Sequence, residues 1–405
     1  MKLFQSIGLA FLFFWVPSCQ AQPKEKSIPI STDIPNHTTI ICGAERLNEY
    51  LPLIKGKNLA LLVNQTSLIG KDHLVDVLLS HHVAIKKIFA PEHGFRGGAD
   101  AGEQVKDSID AKTQIPVISL YGNKKKPSAE DLKGIDVVIF DIQDVGVRFY
   151  TFISSLHYLM EACAENNKEL LVLDRPNPNG WYVDGPVLKK AFQSFVGVDP
   201  VPVVHGLTVG EYAKMVNGEK WLENGQQCRI TIIPCENYEH KMRYSLPVKP
   251  SPNLPNDLSI ALYPSLCFFE GTNVSVGRGT DAPFQIFGSP KTKFDGAYEF
   301  EPISKPGAKS PPLLNEKCYG YDLRNTKALV QNEFLFHYVL QMYGLYSDKD
   351  NFFLKNNFFD KLCGNDMIRK LIIEGKEEAR IKESYQAELL NFKEKRKKYL
   401  LYKDF

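Results

Sequence analysis

The sequence predicts an α/β protein: a Rossmann-like parallel sheet domain, then a smaller α+β domain. Three observations predict this. Short apolar runs alternate with helical patterns through the first part of the chain. The segments that follow the apolar runs are dense in polar residues, glycine and proline. The alternation then ends at 249–255 (KPSPNLP), where three prolines in seven residues mark a boundary.

The elements follow in order. Residues 59–63 (LALLV) form an uninterrupted apolar run, suited to a strand covered on both faces. Residues 73–82 (HLVDVLLSHH) carry apolar positions at helical spacing, and 83–90 (VAIKKIFA) return to strand. Strands are also expected at 117–120, 136–142 (DVVIFDI) and 169–174 (ELLVLD), with a helix over 152–166. A helix over 209–217 and a strand over 229–234 close the sheet domain, taken as 40–250. In the second domain, 256–405, residues 263–290 are rich in glycine, proline and aromatics. Residues 377–402 read as a charged helix with Ile381, Tyr385, Leu389 and Phe392 in one apolar stripe. Its basic run 393–398 (KEKRKK) reads as a solvated face.

The first 22 residues read as an export signal. Lys2 precedes an apolar run, 7–16, that is too short to span a bilayer. Val16-Pro17-Ser18-Cys19 resembles a lipobox, which makes Cys19 a candidate for lipid anchoring; Pro17 is unusual there, and Cys19-Gln20-Ala21 offers ordinary cleavage instead. Residues 23–39 read as a polar tether. The expectation is an exported protein, periplasmic or anchored to a membrane.

A chain of 405 residues exceeds what one core usually organises. With 49 basic and 47 acidic residues the net charge is only +2, so no global field draws it to nucleic acid. Recognition must be local and pocket-like. Seven of the eight cysteines lie beyond the leader at scattered spacings without C-x-x-C. That argues against a disulfide framework or a zinc site, although Cys228 and Cys235 are near enough in sequence to pair; most are read as small buried hydrophobes. No metal and no cofactor are expected. H-E-x-x-H, G-x-S-x-G and G-x-x-x-x-G-K-[ST] are all missing from the sequence. Gly277-Arg278-Gly279-Thr280-Asp281-Ala282 fits G-x-G-x-x-A, but its late position and Pro283 argue against a dinucleotide turn.

The most informative segment is Pro91-Glu92-His93-Gly94-Phe95-Arg96-Gly97, at a strand end. Pro91 fixes the backbone before a carboxylate–imidazole pair, and the glycines permit tight turns. Glu92 lies between Phe89 and Phe95, and apolar surroundings give a carboxyl the character that a glycosidic acid needs. Glycoside hydrolysis usually takes a second carboxylate. Glu103, Asp141, Asp144 and Glu270 are candidates; Asp144 is attractive because it follows an apolar strand that ends on the same rim. Arg148, Arg175 and Arg278 lie in Gly- or Pro-rich loops, and a guanidinium fork suits an anionic group on a ligand. His93 and His205 can orient a carboxylate or bond sugar hydroxyls. Phe268-Phe269-Glu270-Gly271-Thr272-Asn273 joins rings to hydrogen-bonding groups, as sugar sites do.

Together these segments resemble the exo-β-N-acetylmuramidase (NamZ) family, glycoside hydrolase family 171. The resemblance runs from about residue 40 to the C-terminus. It rests on Pro91 to Gly97, on Asp141-Ile142-Gln143-Asp144-Val145-Gly146-Val147-Arg148-Phe149-Tyr150-Thr151, and on Asp174-Arg175-Pro176-Asn177-Pro178. His205-Gly206-Leu207-Thr208, Glu270-Gly271-Thr272-Asn273, Gly277-Arg278-Gly279-Thr280 and Arg396-Lys397-Lys398-Tyr399-Leu400-Leu401-Tyr402 extend it. It implies release of N-acetylmuramic acid from the non-reducing ends of MurNAc-GlcNAc peptidoglycan fragments in cell-wall salvage. It also implies an active cleft between the two domains with Glu92 catalytic; from its place after the apolar strand, Asp144 is the expected partner, with the other carboxylates left open. His93, Arg96, Asp141, Arg148, Arg175, His205, Glu270, Asn273 and Arg278 are the expected substrate-binding residues. A non-catalytic exported sugar-binding lipoprotein is the alternative, and a nucleotide-dependent enzyme ranks below it.

Overall fold

Seven strands form the main sheet of this computed structural model, which describes residues 39–95, 107–325 and 334–405. The leader, Cys19, residues 23–38 of the tether, Arg96 and Glu103 lie outside the described residues. After α1 (Leu47–Ile54) come β1 (Asn58–Val63), a small hairpin of β2 (Leu68–Ile69) and β3 (Asp72–His73), α2 (Leu74–Ser80) and β4 (Ala84–Ala90). Then follow β5 (Ser108–Ile109), β6 (Pro116–Ser119), β7 (Val137–Asp141), α3 (Phe152–Glu165), β8 (Glu169–Leu173), α4 (Val209–Gly218) and β9 (Arg229–Ile233).

The sheet order is β5-β6-β4-β1-β7-β8-β9, parallel except for the β5 edge. Without β5 this is the doubly wound order, in which the winding reverses between β1 and β7. Strand periodicity sends alternate residues to two cores. Leu59, Leu61, Val137, Ile139, Leu171 and Leu173 pack beneath α1 and α2, while Ala60, Leu62, Val138, Phe140, Leu170 and Val172 face the other way. Each buried Leu, Ile or Val contributes about 1.5–3 kcal/mol. That two-sided burial explains why these strands read as continuous apolar runs.

The second core extends beyond the sheet domain. It takes in α3 and α4 residues and then Phe268, Phe284, Phe334 and Phe359 from the chain beyond residue 255. The Pro-rich segment 249–255 is not an exposed linker: Ser251 and Leu254 are buried, and Gln65 donates to the Pro250 carbonyl at 3.1 Å. Residues 40–405 thus pack as one compact body. The smaller C-terminal part contains α5 (Asp257–Leu266), a three-stranded antiparallel sheet of β10 (Ile286–Ser289), β11 (Tyr298–Phe300) and β12 (Cys318–Asp322), and four further helices. These are α6 (His337–Leu345), α7 (Phe358–Cys363), α8 (Met367–Ile373) and α9 (Glu378–Arg396).

Two boundaries differ from expectation for identifiable reasons. The first helix after β1 starts at Leu74, because His73 belongs to β3 and its Nδ1 accepts the Val75 N–H at 3.2 Å as a cap. The last helix ends at Arg396, short of 402. Tyr402 leaves the helical path so that its hydroxyl can donate to buried Asp174 at 2.6 Å. Arg396 is not on a solvated face either: it is buried, bonded to the Gly206 carbonyl and to Asp404. The α9 stripe of Ile381, Tyr385, Leu389 and Phe392 is buried. All seven described cysteines are buried and free. Among the described residues no helix is long and apolar enough to cross a membrane.

Candidate active site

A cavity of about 1110 Å³ opens at the carboxyl ends of the sheet strands, where parallel α/β sheets gather ligands. Three strands deliver its first wall. Chain leaving β4 turns at once: Pro91 is followed by Glu92, then by His93 (φ 69°) and Gly94 (φ 77°), and the Gly94 N–H closes the turn on the Pro91 carbonyl at 3.0 Å. A left-handed histidine next to a left-handed glycine is costly backbone of the kind kept at functional sites. The turn leaves Glu92 half-buried on the cavity wall.

Two hydroxyls hold that carboxyl. Tyr121, just past β6, donates to Oε1 at 2.9 Å, and Thr151, past β7, donates to Oε2 at 2.7 Å. Thr151 is the N-cap residue of α3, yet its side chain makes no capping bond. Its hydroxyl serves Glu92 instead, giving up about 1 kcal/mol of helix capping. Beside them Tyr150 is buried, and its phenol pKa is pushed well above 10 by burial foremost and then by the charges of Asp144 and Glu92.

The C-terminal part supplies another wall. Glu270 sits in a 3-10 turn, Cys267–Gly271, after α5, and Arg278 Nε donates to its Oε1 at 2.6 Å. Burial alone would lower the Arg278 pKa; the Glu270 charge outweighs it and raises it. The turn needs glycine at 271, since a Cβ there would lie 2.5 Å from the Phe359 backbone in α7. Asn273 is tied down by its side-chain N–H to the Asn351 carbonyl at 2.6 Å and also faces the cavity. Tyr121, Tyr150, Tyr263, Phe269 and Phe284 add rings, the surfaces that sugar C–H faces stack on.

The expected site residues therefore divide. Glu92, His93, Glu270, Asn273 and Arg278 share the cavity. Asp141, Asp144, Arg148, Arg175 and His205 are not on its wall; the structure places them beneath it. Asp141 and Arg175 form a buried two-pronged ion pair, at 2.6 and 2.9 Å, with Arg175 also donating to the Leu68 carbonyl. Arg148 is wholly buried and donates to the carbonyls of Pro186, Val201 and, in α7, Leu362; burial depresses its pKa to about 10. His205 is wholly buried, accepts the Leu207 N–H at Nδ1, and is pushed down to about 3 by burial first and the nearby Arg396 and Arg148 charges second. Asp144 lies beneath the rim, its Oδ2 accepting the Gly146 N–H at 2.6 Å, and burial lifts its carboxyl from 3.8 to about 7. Phe268 is likewise core, although its neighbours Glu270 and Asn273 reach the cavity.

Sequence reasoning missed Tyr121, Ser251 and Lys125 on the cavity wall. Tyr121 follows a predicted strand, so the rim rule alone reaches it; Ser251 was hidden because its segment read only as a domain boundary.

Comparisons with known proteins agree with this architecture. Residues 59–258 match the family model described as exo-beta-N-acetylmuramidase NamZ, N-terminal, and residues 261–402 match its C-terminal counterpart. The chain is 39% identical over 380 residues to the peptidoglycan beta-N-acetylmuramidase NamZ of Bacillus subtilis (strain 168), covering 88% of this chain and 89% of that one. Crystal structures of two DUF1343 family proteins from Bacteroides fragilis NCTC 9343 superpose with TM-scores of 0.84 and 0.78. The first is 46% identical and covers 91% of this chain and all of its own; the second is 29% identical and covers 90% and 99%. With a doubly wound sheet, a carboxylate-lined rim cavity and both family models matched in order, this chain belongs to the exo-β-N-acetylmuramidase NamZ family.

Proposed function

We propose that this protein is a glycoside hydrolase that releases N-acetylmuramic acid from the non-reducing ends of peptidoglycan-derived MurNAc-GlcNAc saccharides. The observation that carries the reading is Glu92, braced by Tyr121 and Thr151, on the wall of a cavity that Glu270 also lines. Two carboxylates at one site are the usual equipment for glycosidic cleavage. Glu92 gives its proton to the leaving oxygen as the bond to the anomeric carbon breaks. Glu270, in the role first expected of Asp144, acts as base toward water or as nucleophile. Arg278, donating to its Oε1, holds Glu270 aimed at the cavity. The apolar run at 7–16 supports export, which brings the enzyme to wall fragments, and Cys19 is the proposed anchoring point where a lipid is attached.

Glu92→Gln tests the assignment. The amide keeps the shape but carries no transferable proton, so MurNAc release from MurNAc-GlcNAc falls about 10²–10⁴-fold while the melting temperature is unchanged. Near-normal turnover by the variant refutes it. Anomer-resolved NMR of the wild-type product assigns Glu270: retention means nucleophile, inversion means base.

A further inference from the structure

We propose that Lys125 reads the lactyl carboxylate of N-acetylmuramic acid and so sets the preference for that sugar over N-acetylglucosamine. The inference rests on the function proposed above. The three sequence candidates for this task are committed elsewhere. Arg148 is spent on backbone carbonyls, Arg175 on Asp141 and Arg278 on Glu270.

Lys125 differs from its own neighbours in the loop after β6. Lys124 pairs with Asp131 at 2.6 Å, and Lys126 pairs with Glu165 at 2.8 Å and Glu161 at 3.4 Å. Among the described residues no carboxylate pairs with Lys125; its Nζ stands 4.7 Å over the Phe195 ring. That ring is itself fixed, stacked on Tyr158 at 6.2 Å and tilted against Tyr121 at 5.9 Å. Lys125, Phe195 and Tyr121 line the same cavity, and the Tyr121 hydroxyl bonds Glu92. A cation–π contact holds an ammonium in place without neutralising it. The cation is therefore positioned yet still able to pair with an anion, next to the ring that braces the acid. A sugar whose glycosidic oxygen meets Glu92 presents its other ring substituents to this wall, and a carboxylate among them gains a charge-assisted hydrogen bond. A hydroxyl in its place gains much less.

Calorimetric titration with free N-acetylmuramic acid and with its lactyl methyl ester tests this directly. The wild type is expected to bind the acid more tightly than the ester. Lys125→Met weakens acid binding by about 10- to 100-fold and brings it to the level of the ester. Lys125→Arg restores most of the difference, and Lys124→Met, which alters a lysine already paired with Asp131, preserves it. Equal wild-type affinity for acid and ester overturns the proposal. So does an undiminished preference in Lys125→Met, or a loss that appears with Lys309→Met instead, since Lys309 lines the same cavity. Because the readout is binding, failure of the wild type to cleave MurNAc-GlcNAc sinks the proposed reaction separately.

Discussion

Two arginine–carboxylate pairs serve this molecule in different ways. Arg175 and Asp141, 5% and 0% exposed, lie under the sheet rim, and a third N–H of the arginine goes to the Leu68 carbonyl. Arg278 and Glu270, 16% and 23% exposed, stand on the cavity wall. The chemistry is the same and the surroundings are not. A pair sealed from water and satisfied on every side is a brace, and a pair with one face on a cavity leaves a carboxylate oxygen to act on a ligand. That an arginine meets a carboxylate, which the two share, does not separate them.

That contrast is open to attack at both ends. Arg175→Met leaves Asp141 buried and unpaired, so unfolding in denaturant should show a loss of about 3–5 kcal/mol. A loss under 1 kcal/mol would mean the sheet brace is not one. Glu270→Gln still accepts a hydrogen bond from Arg278, and its stability cost should stay within about 1–2 kcal/mol. Its kcat should fall about 10²–10⁴-fold, the reverse of the Arg175 pattern. Unimpaired turnover would return the search for the second carboxylate to the remaining acids.

Asp144 sharpens the comparison differently, because it is buried and, among the described residues, no cation stands opposite it. Its carboxyl is raised from 3.8 to about 7, so the folded state favours the protonated form. Its contribution to stability is complete below pH 3.8 and is lost as pH rises through about 7. Asp144→Asn removes this dependence. Denaturation of the two proteins side by side should show the variant gaining on the wild type from about pH 4 to 7, by about 4 kcal/mol, and then holding level. Buried His205, pushed down to about 3, acts with the opposite sign, losing stability as pH falls below 6.5, but it is common to both proteins and cancels. A difference that ignores pH would show that Asp144 is solvated.

How much of this was legible beforehand depends on how local each cause is. The central strands β1, β7 and β8 were read within a residue or two, because burial on both faces leaves a short apolar run, whereas the exposed two-residue edge strand β5 left no such run and was not read. Glu92 was legible because proline, glycine and a strand end meet at one point. The helix stop at Arg396 was not, since it is set by Asp174, more than two hundred positions earlier, drawing Tyr402 away. Lys125 could not be separated from Lys124 and Lys126 in a run of three, because what distinguishes it is which neighbours found carboxylates.

By itself, the sequence determined the parallel sheet and the rim turn on which Glu92 stands. Those follow from periodicity and turn chemistry, which act over a few residues. Only the tertiary structure decided which charged side chains face the cavity and which are sealed beneath it. Burial and pairing are relations between segments far apart in the chain, and the same arginine or aspartate is a brace or a tool according to whether water and a ligand can reach it.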